Sequence, residues 1–340
     1  MEVSLRIGQF FKDLNTLMQS ITYFPPWGNV TSLLGSPSTW FSEPRSEMYL
    51  AKFNGFNSFE DLERSINALA SIVLQRVSPF RGIPGSIPQT ENEEFQNEKW
   101  FYVNGICTNK TILELNGYYL RDLFHRPIEL IENPTDGFLV DLFECVFGRT
   151  FDMVSEPCKY TVNRVEDALR SKKYERVVLL GHSQGGIVIS NVVKELVRKY
   201  AGQDILLKLE VYTFASAADE MASDEMLTKR SGRLVPYIEH FANCGDFVAK
   251  MGILQRHGMA GEIYEMNKEG HLLNAHYLPE ISARQYRSAC FGNRARLYEY
   301  LDGGVAQYFN HCKENIMREG DFVGATVEYE KPDIPTPSVN

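Results

Sequence analysis

The run Arg176-Val-Val-Leu-Leu180 passes without a spacer into Gly181-His-Ser-Gln-Gly-Gly186, and then into a stretch where Ile187, Val188, Val192 and Leu196 recur at helical spacing. The apolar run reads as a fully buried strand, and the periodic stretch as a helix reaching about Tyr200. A chain that goes from strand to helix within a few residues must turn sharply. Gly181 and Gly185, two residues before and two after Ser183, remove the side chains that would collide in such a turn. Ser183 is then expected in a cramped backbone conformation, exposed at the carboxyl end of a sheet. It would stand above a helix N-terminus whose unpaired N–H groups favour developing negative charge.

The surrounding chain supports that placement. From Trp100 onward, short apolar runs alternate with amphipathic helical patterns, as repeated parallel βα units do. Strands are expected at 100–103, 128–131, 176–180, 207–214, 237–243 and, last, 262–266. Helices are expected at 111–124, 138–147, 162–170 and 247–254. The fold class is therefore α/β, a mostly parallel central sheet with helices on both faces. It would span residues 98–330 and be followed by a Pro-rich flexible tail at 331–340. Residues 1–97 read differently, as a helical N-terminal extension and possible cap. Ile7, Phe10, Phe11, Leu14, Leu17, Met18 and Ile21 keep helical spacing up to Pro25-Pro26, and Ser58 with Asp61 opens a second helix carrying Leu62, Ile66, Leu69 and Val73.

Composition narrows the function classes. The 340 residues carry 35 Lys+Arg against 44 Asp+Glu, a net charge of −9, so the basic footprint that nucleic-acid binding needs is missing. No apolar run approaches the length of a membrane-spanning helix. The first residues lack a basic stretch followed by an apolar one, so the chain is expected to be cytoplasmic. The cysteines at 107, 145, 158, 244, 290 and 312 are too scattered for a metal knuckle. With no Walker loop or dinucleotide fingerprint either, neither cofactor nor metal is assigned. Oligomeric state is not legible.

Serine is a weak nucleophile unless a base takes its proton and an acid orients that base. Asp246, in the turn after the strand at 237–243, is placed where an orienting carboxylate belongs, with Asp219 after the previous strand as the alternative. For the base, His271 follows Gly270 in a short loop after the strand at 262–266, while His276, already in a helix, is the alternative. His182 and His240 read as packing or hydrogen-bonded neighbours. Oxyanion donors would be the backbone N–H of Gln184 and one from the loop after the strand at 100–103, Ile106 or alternatively Cys107, where Gly105 allows close approach.

Gly-His-Ser-Gln-Gly-Gly at 181–186, Asn104-Gly105-Ile106, Asn243-Cys-Gly-Asp246 and Gly270-His271 together resemble the α/β-hydrolase superfamily, most similarly its lipase-like and esterase-like members. The resemblance covers residues 98 to 310, with Asn104 where those proteins usually have histidine. It implies a catalytic triad and a serine esterase cleaving a small-molecule acyl ester. An acyltransferase or thioesterase on the same triad is the alternative, and a non-catalytic ligand-binding homologue the second alternative.

Overall fold

The computed structural model describes residues 45–47, 85–87, 95–105, 110–133, 156–200, 203–221, 236–255, 258–288 and 294–306. All lie in the compact unit Met1–Gln307. The helices expected near residues 7–21, 58–73 and 138–147, and the tail at 331–340, lie outside the described residues.

The described strands form one sheet. They are β1 (Gly85–Ile87), β2 (Glu98–Val103), β3 (Ile128–Ile131), β4 (Arg176–His182), β5 (Leu209–Phe214), β6 (Tyr237–Asn243), β7 (Glu262–Met266) and β8 (Arg287–Ser288). Their order across the sheet is β1-β3-β2-β4-β5-β6-β7-β8. β1 and β8 pair antiparallel at the two edges, and every other pair is parallel. The sheet therefore begins inside the segment read as an extension, and Glu262–Met266 is not its last strand. Neither edge strand could be read from sequence, because two or three residues are too few to show a period of two.

Helices α1 (Lys110–Phe124), α2 (Glu156–Arg170) and α3 (Gly185–Lys199) connect the parallel strands. Shorter helices α4 (Phe247–Met251) and α5 (Leu278–Ser282) follow β6 and β7. Residues alternate between the faces along each strand. Trp100, Tyr102, Val178, Leu180, Tyr212 and Phe214 join the core beneath α1 and α5, whereas Phe101, Val103, Val177, Leu179 and Val211 pack against α2 and α3. Two apolar faces explain why β4 is buried at every position.

Several boundaries shift for local reasons. α2 starts at Glu156 rather than Val162, since Pro157 in the first turn has no N–H to leave unpaired. β5 starts at Leu209 because Asp204–Lys208 form a 3₁₀ turn. The helix expected at 247–254 stops at Met251, and a 3₁₀ turn, Ile253–Gln255, follows Gly252.

At the amino ends of the strands the sheet buries charge. Arg126 and Arg176 both reach Glu98, at 3.1 and 3.3 Å, and Arg176 and Arg296 both reach Glu210, at 3.1 and 3.0 Å. Trp100 Nε1 donates to Glu98, and the Tyr212 and Tyr300 hydroxyls donate to Glu210. Glu239 alongside accepts the backbone N–H groups of Arg296 and Leu297 and the Tyr237 hydroxyl. Burial of such groups is tolerable only with this degree of pairing.

Candidate active site

The carboxyl ends of β4, β6 and β7 bring Ser183, Asp246 and His271 together. Ser183 follows β4 with φ +58°, a left-handed conformation that costs a residue with a side chain of order 1 kcal/mol. Neighbours hold it there. Its N–H donates to Phe214 O at 3.0 Å, and its carbonyl accepts from the N–H groups of Gly186 and Ala217 at 2.9 and 3.0 Å. Gly185 lies so close to β2 that a Cβ there would run into the carbonyl oxygens of Val103 and Asn104. The strand-to-helix turn thus depends on a missing side chain, as its sequence implied.

Ser183 is at the expected end of the sheet but is not exposed there, retaining only 2% of its accessible surface. The reason is crowding: the loop after β2 packs on it, so that a Cβ on Gly105 would lie 2.5 Å from Ser183 Cβ. The imidazole of His271 also lies against its hydroxyl.

His271 Nε2 is 2.9 Å from Ser183 Oγ, and its Nδ1 is 2.8 Å from Asp246 Oδ2. Gly270, at φ +100°, releases the chain from β7 into the loop that makes this reach possible. Asp246 is fully buried, and both its oxygens are used. Oδ1 caps α4 by accepting the N–H of Val248 at 2.8 Å and of Ala249 at 3.4 Å. Oδ2 accepts from His271 and from the Tyr277 hydroxyl at 2.7 Å. Burial, and then the Asp246 charge, push the Tyr277 phenol well above its ordinary pKa, so it remains a donor. A carboxylate held from four directions has one orientation available.

The alternatives take other places. Asp219 lies in the loop after β5, while the carboxylate on His271 comes from the turn after β6. His276 is fully buried in a wide π-turn, Leu273–Tyr277, rather than an α-helix; its Nδ1 accepts the Leu272 N–H at 3.0 Å and its ring packs beneath Gly270. His240 bonds Thr213 and the Ala260 carbonyl inside the sheet. His182 is a hydrogen-bonded neighbour of His271, as expected. Its Nε2 bonds the His271 carbonyl at 2.7 Å and its ring lies 4.8 Å from the His271 ring. Burial above all, with His271 next, depresses its pKa well below the histidine norm, so it stands beside His271 without a competing charge.

Gln184 precedes α3 in helical conformation, and among the described residues nothing accepts its backbone N–H. Ile106 and Cys107 lie outside the described residues. Asn104, at the tip of β2, accepts the Asn133 N–H at 2.6 Å and donates to the Gly105 carbonyl at 2.9 Å, and Asn133 donates to the Gln184 side chain at 2.7 Å. An amide chain therefore ties the tips of β2 and β3 to the turn at Ser183. Asn133 and Tyr277 carry no motif that would have marked them, because each acts through a partner distant in sequence. Among the described residues no cluster of His, Cys, Asp or Glu could hold a metal ion, and no helix is long and apolar enough to cross a membrane.

Residues 101–219 match the protein family described as "Putative serine esterase (DUF676)". No curated protein matches the chain. Similar solved structures include a "putative esterase" from Staphylococcus aureus, 12% identical over 67% of this chain and 93% of that one, with a TM-score of 0.31. A lipase-esterase related protein from Clostridium acetobutylicum is 10% identical over 59% and 97%, with a TM-score of 0.37. A cutinase from Trichoderma reesei is 14% identical over 60% and 85%, with a TM-score of 0.29. The strand order, the parallel interior and the turn at Ser183 give this chain the α/β-hydrolase fold.

Proposed function

We propose that this α/β-hydrolase chain is a serine hydrolase that cleaves carboxylic esters through an acyl-enzyme on Ser183. The observation that carries the reading is the unbroken line of hydrogen bonds from Ser183 Oγ through His271 to Asp246. An ionised Asp246 accepts, so His271 carries its proton on Nδ1 and presents the Nε2 lone pair to the serine hydroxyl. Nε2 takes the Ser183 proton as Oγ attacks the ester carbonyl carbon. The carbonyl oxygen gains charge and is met by the Gln184 N–H, with a second donor from the loop after β2, Ile106 or Cys107. The imidazolium, steadied by Asp246, returns its proton to the departing alcohol. Water then attacks the acyl-enzyme by the same route in reverse, releasing the acid. The match to a serine esterase family over residues 101–219 agrees with this chemistry.

A fluorophosphonate probe on the purified chain, followed by peptide mapping, tests the assignment. Labelling at Ser183 is expected, and Ser183→Ala should remove both labelling and ester turnover while leaving the melting temperature nearly unchanged. Loss of a triad nucleophile costs at least about 10³-fold, so a variant keeping more than a few per cent of wild-type turnover sinks the reading. A panel of p-nitrophenyl esters from acetate to palmitate, with a phospholipid and a thioester added, then ranks the substrates.

A further inference from the structure

The loop that carries His271 is held on three sides. His182 takes the His271 carbonyl, and Asn243 Nδ2 donates to the carbonyls of Gly270 and His276 at 3.0 and 3.4 Å. Both of these residues end central strands. The third hold comes from far upstream. Glu47 Oε1 accepts the Asn274 N–H at 2.8 Å, and Oε2 accepts the Ala275 N–H at 3.2 Å. These are donors of the first turn of Leu273–Tyr277, where an N–H has no partner within the turn itself.

The contact is a built one. Asn116 of α1 donates from Nδ2 to Glu47 Oε1 at 2.9 Å and to Asn274 Oδ1 at 2.8 Å, while Asn274 Nδ2 donates to the Arg45 carbonyl at 2.8 Å. The Arg45 guanidinium lies 3.6 Å over the Tyr119 ring on the same helix. Burial raises the Glu47 carboxyl above its ordinary pKa, and the N–H groups of the turn and the Asn116 amide oppose that rise. The turn ends at Tyr277, which donates to Asp246, and begins two residues after His271.

We infer that Glu47 is a positioning residue for the reaction: by capping the turn at 273–277 it fixes His271 and Tyr277 relative to Ser183 and Asp246. A segment upstream of the whole sheet thereby becomes part of the catalytic apparatus. The inference rests on Ser183, His271 and Asp246 being the reacting set, since a misplacement of about 1 Å in such a set costs up to about 10²-fold in rate.

The test compares the full chain with Glu47→Ala and Glu47→Gln. Five quantities are measured: kcat and KM on a p-nitrophenyl ester, the rate of fluorophosphonate labelling, the melting temperature, and amide hydrogen exchange across 271–277. Glu47→Ala is expected to lower kcat and the labelling rate about 10- to 100-fold, with KM within about threefold and faster exchange in 271–277. Glu47→Gln keeps an acceptor for Asn274 and loses the one for Ala275, so it should fall between wild type and Glu47→Ala, severalfold below wild type in kcat and with exchange in 271–277 faster than wild type. A folded Glu47→Ala protein with wild-type kcat, or one whose loss lies in KM alone, overturns the inference. If Glu47→Ala does not fold, wild-type kcat and exchange in Glu47→Gln overturn it, and a severalfold loss of kcat with faster exchange supports it. Failure of the wild type to take the probe would strike the esterase reading instead, and the exchange comparison would still decide whether Glu47 holds the loop.

Discussion

The two ends of this sheet handle polar groups in opposite ways. At the amino ends of the strands, Glu98 and Glu210 are each gripped by two arginines and by aromatic donors, so each of these two carboxylates has opposite charge fixed beside it. At the carboxyl ends, Ser183 stands in a strained backbone conformation, and its hydroxyl faces a single imidazole that can take its proton. The first arrangement leaves no charge at Glu98 and Glu210 that can move without loss. The second keeps one group movable and immobilises everything around it. A buried network at one end and a reactive line at the other are different uses of the same burial. In both, low dielectric strengthens each interaction, and only the pairing decides whether that gives rigidity or reactivity.

Substitutions on the two ends should therefore separate activity from stability. His271→Ala carries the largest expected effect, a fall in kcat of about 10³-fold or more with the melting temperature little changed, while His276→Ala should lower kcat about tenfold or less. If His276→Ala is the inactive variant and His271→Ala keeps its turnover, the roles are exchanged. At the other end, Arg176→Met leaves Glu98 and Glu210 short of a partner each. Breaking such a buried pair costs about 3–5 kcal/mol, visible in urea unfolding, whereas kcat per folded molecule should stay close to wild type. A loss of kcat without loss of stability would show that the two ends are coupled and would undo the contrast.

The smallest effect concerns Glu239, whose carboxyl is raised to about 7, chiefly by burial and only partly offset by the Tyr237 hydroxyl and the N–H groups of Arg296 and Leu297. A folded-state value above the unfolded one means that the folded chain binds the proton more tightly. The stability this residue contributes is then complete below the ordinary carboxylate range and is lost as the pH rises through about 7. Melting curves from pH 5 to 8 should accordingly show a shallower pH dependence in Glu239→Gln than in the wild type. Parallel curves for the two proteins would mean that Glu239 does not titrate in this window.

What could be read from the sequence was local. The turn at Ser183, where φ is +58°, is legible because strand, glycines and helix are contiguous in the chain. The strands β3, β6 and β7 are legible as short runs for the same reason, and Asp246 as the carboxylate in the turn that follows β6. The choice between His271 and His276 was not legible at this level. Both follow β7 closely, and only the positive φ of Gly270 together with the π-turn sends one ring to Ser183 and the other beneath the loop. The burial of Ser183, the Tyr277 hydroxyl on Asp246 and the Glu47 cap depend on segments 31 to 228 residues apart meeting in space. Sequence determined where the chain must turn, because turning is a matter of neighbouring residues. Tertiary structure decided which side chains share a proton, because a hydrogen bond needs two groups within about 3 Å and no local pattern encodes that distance.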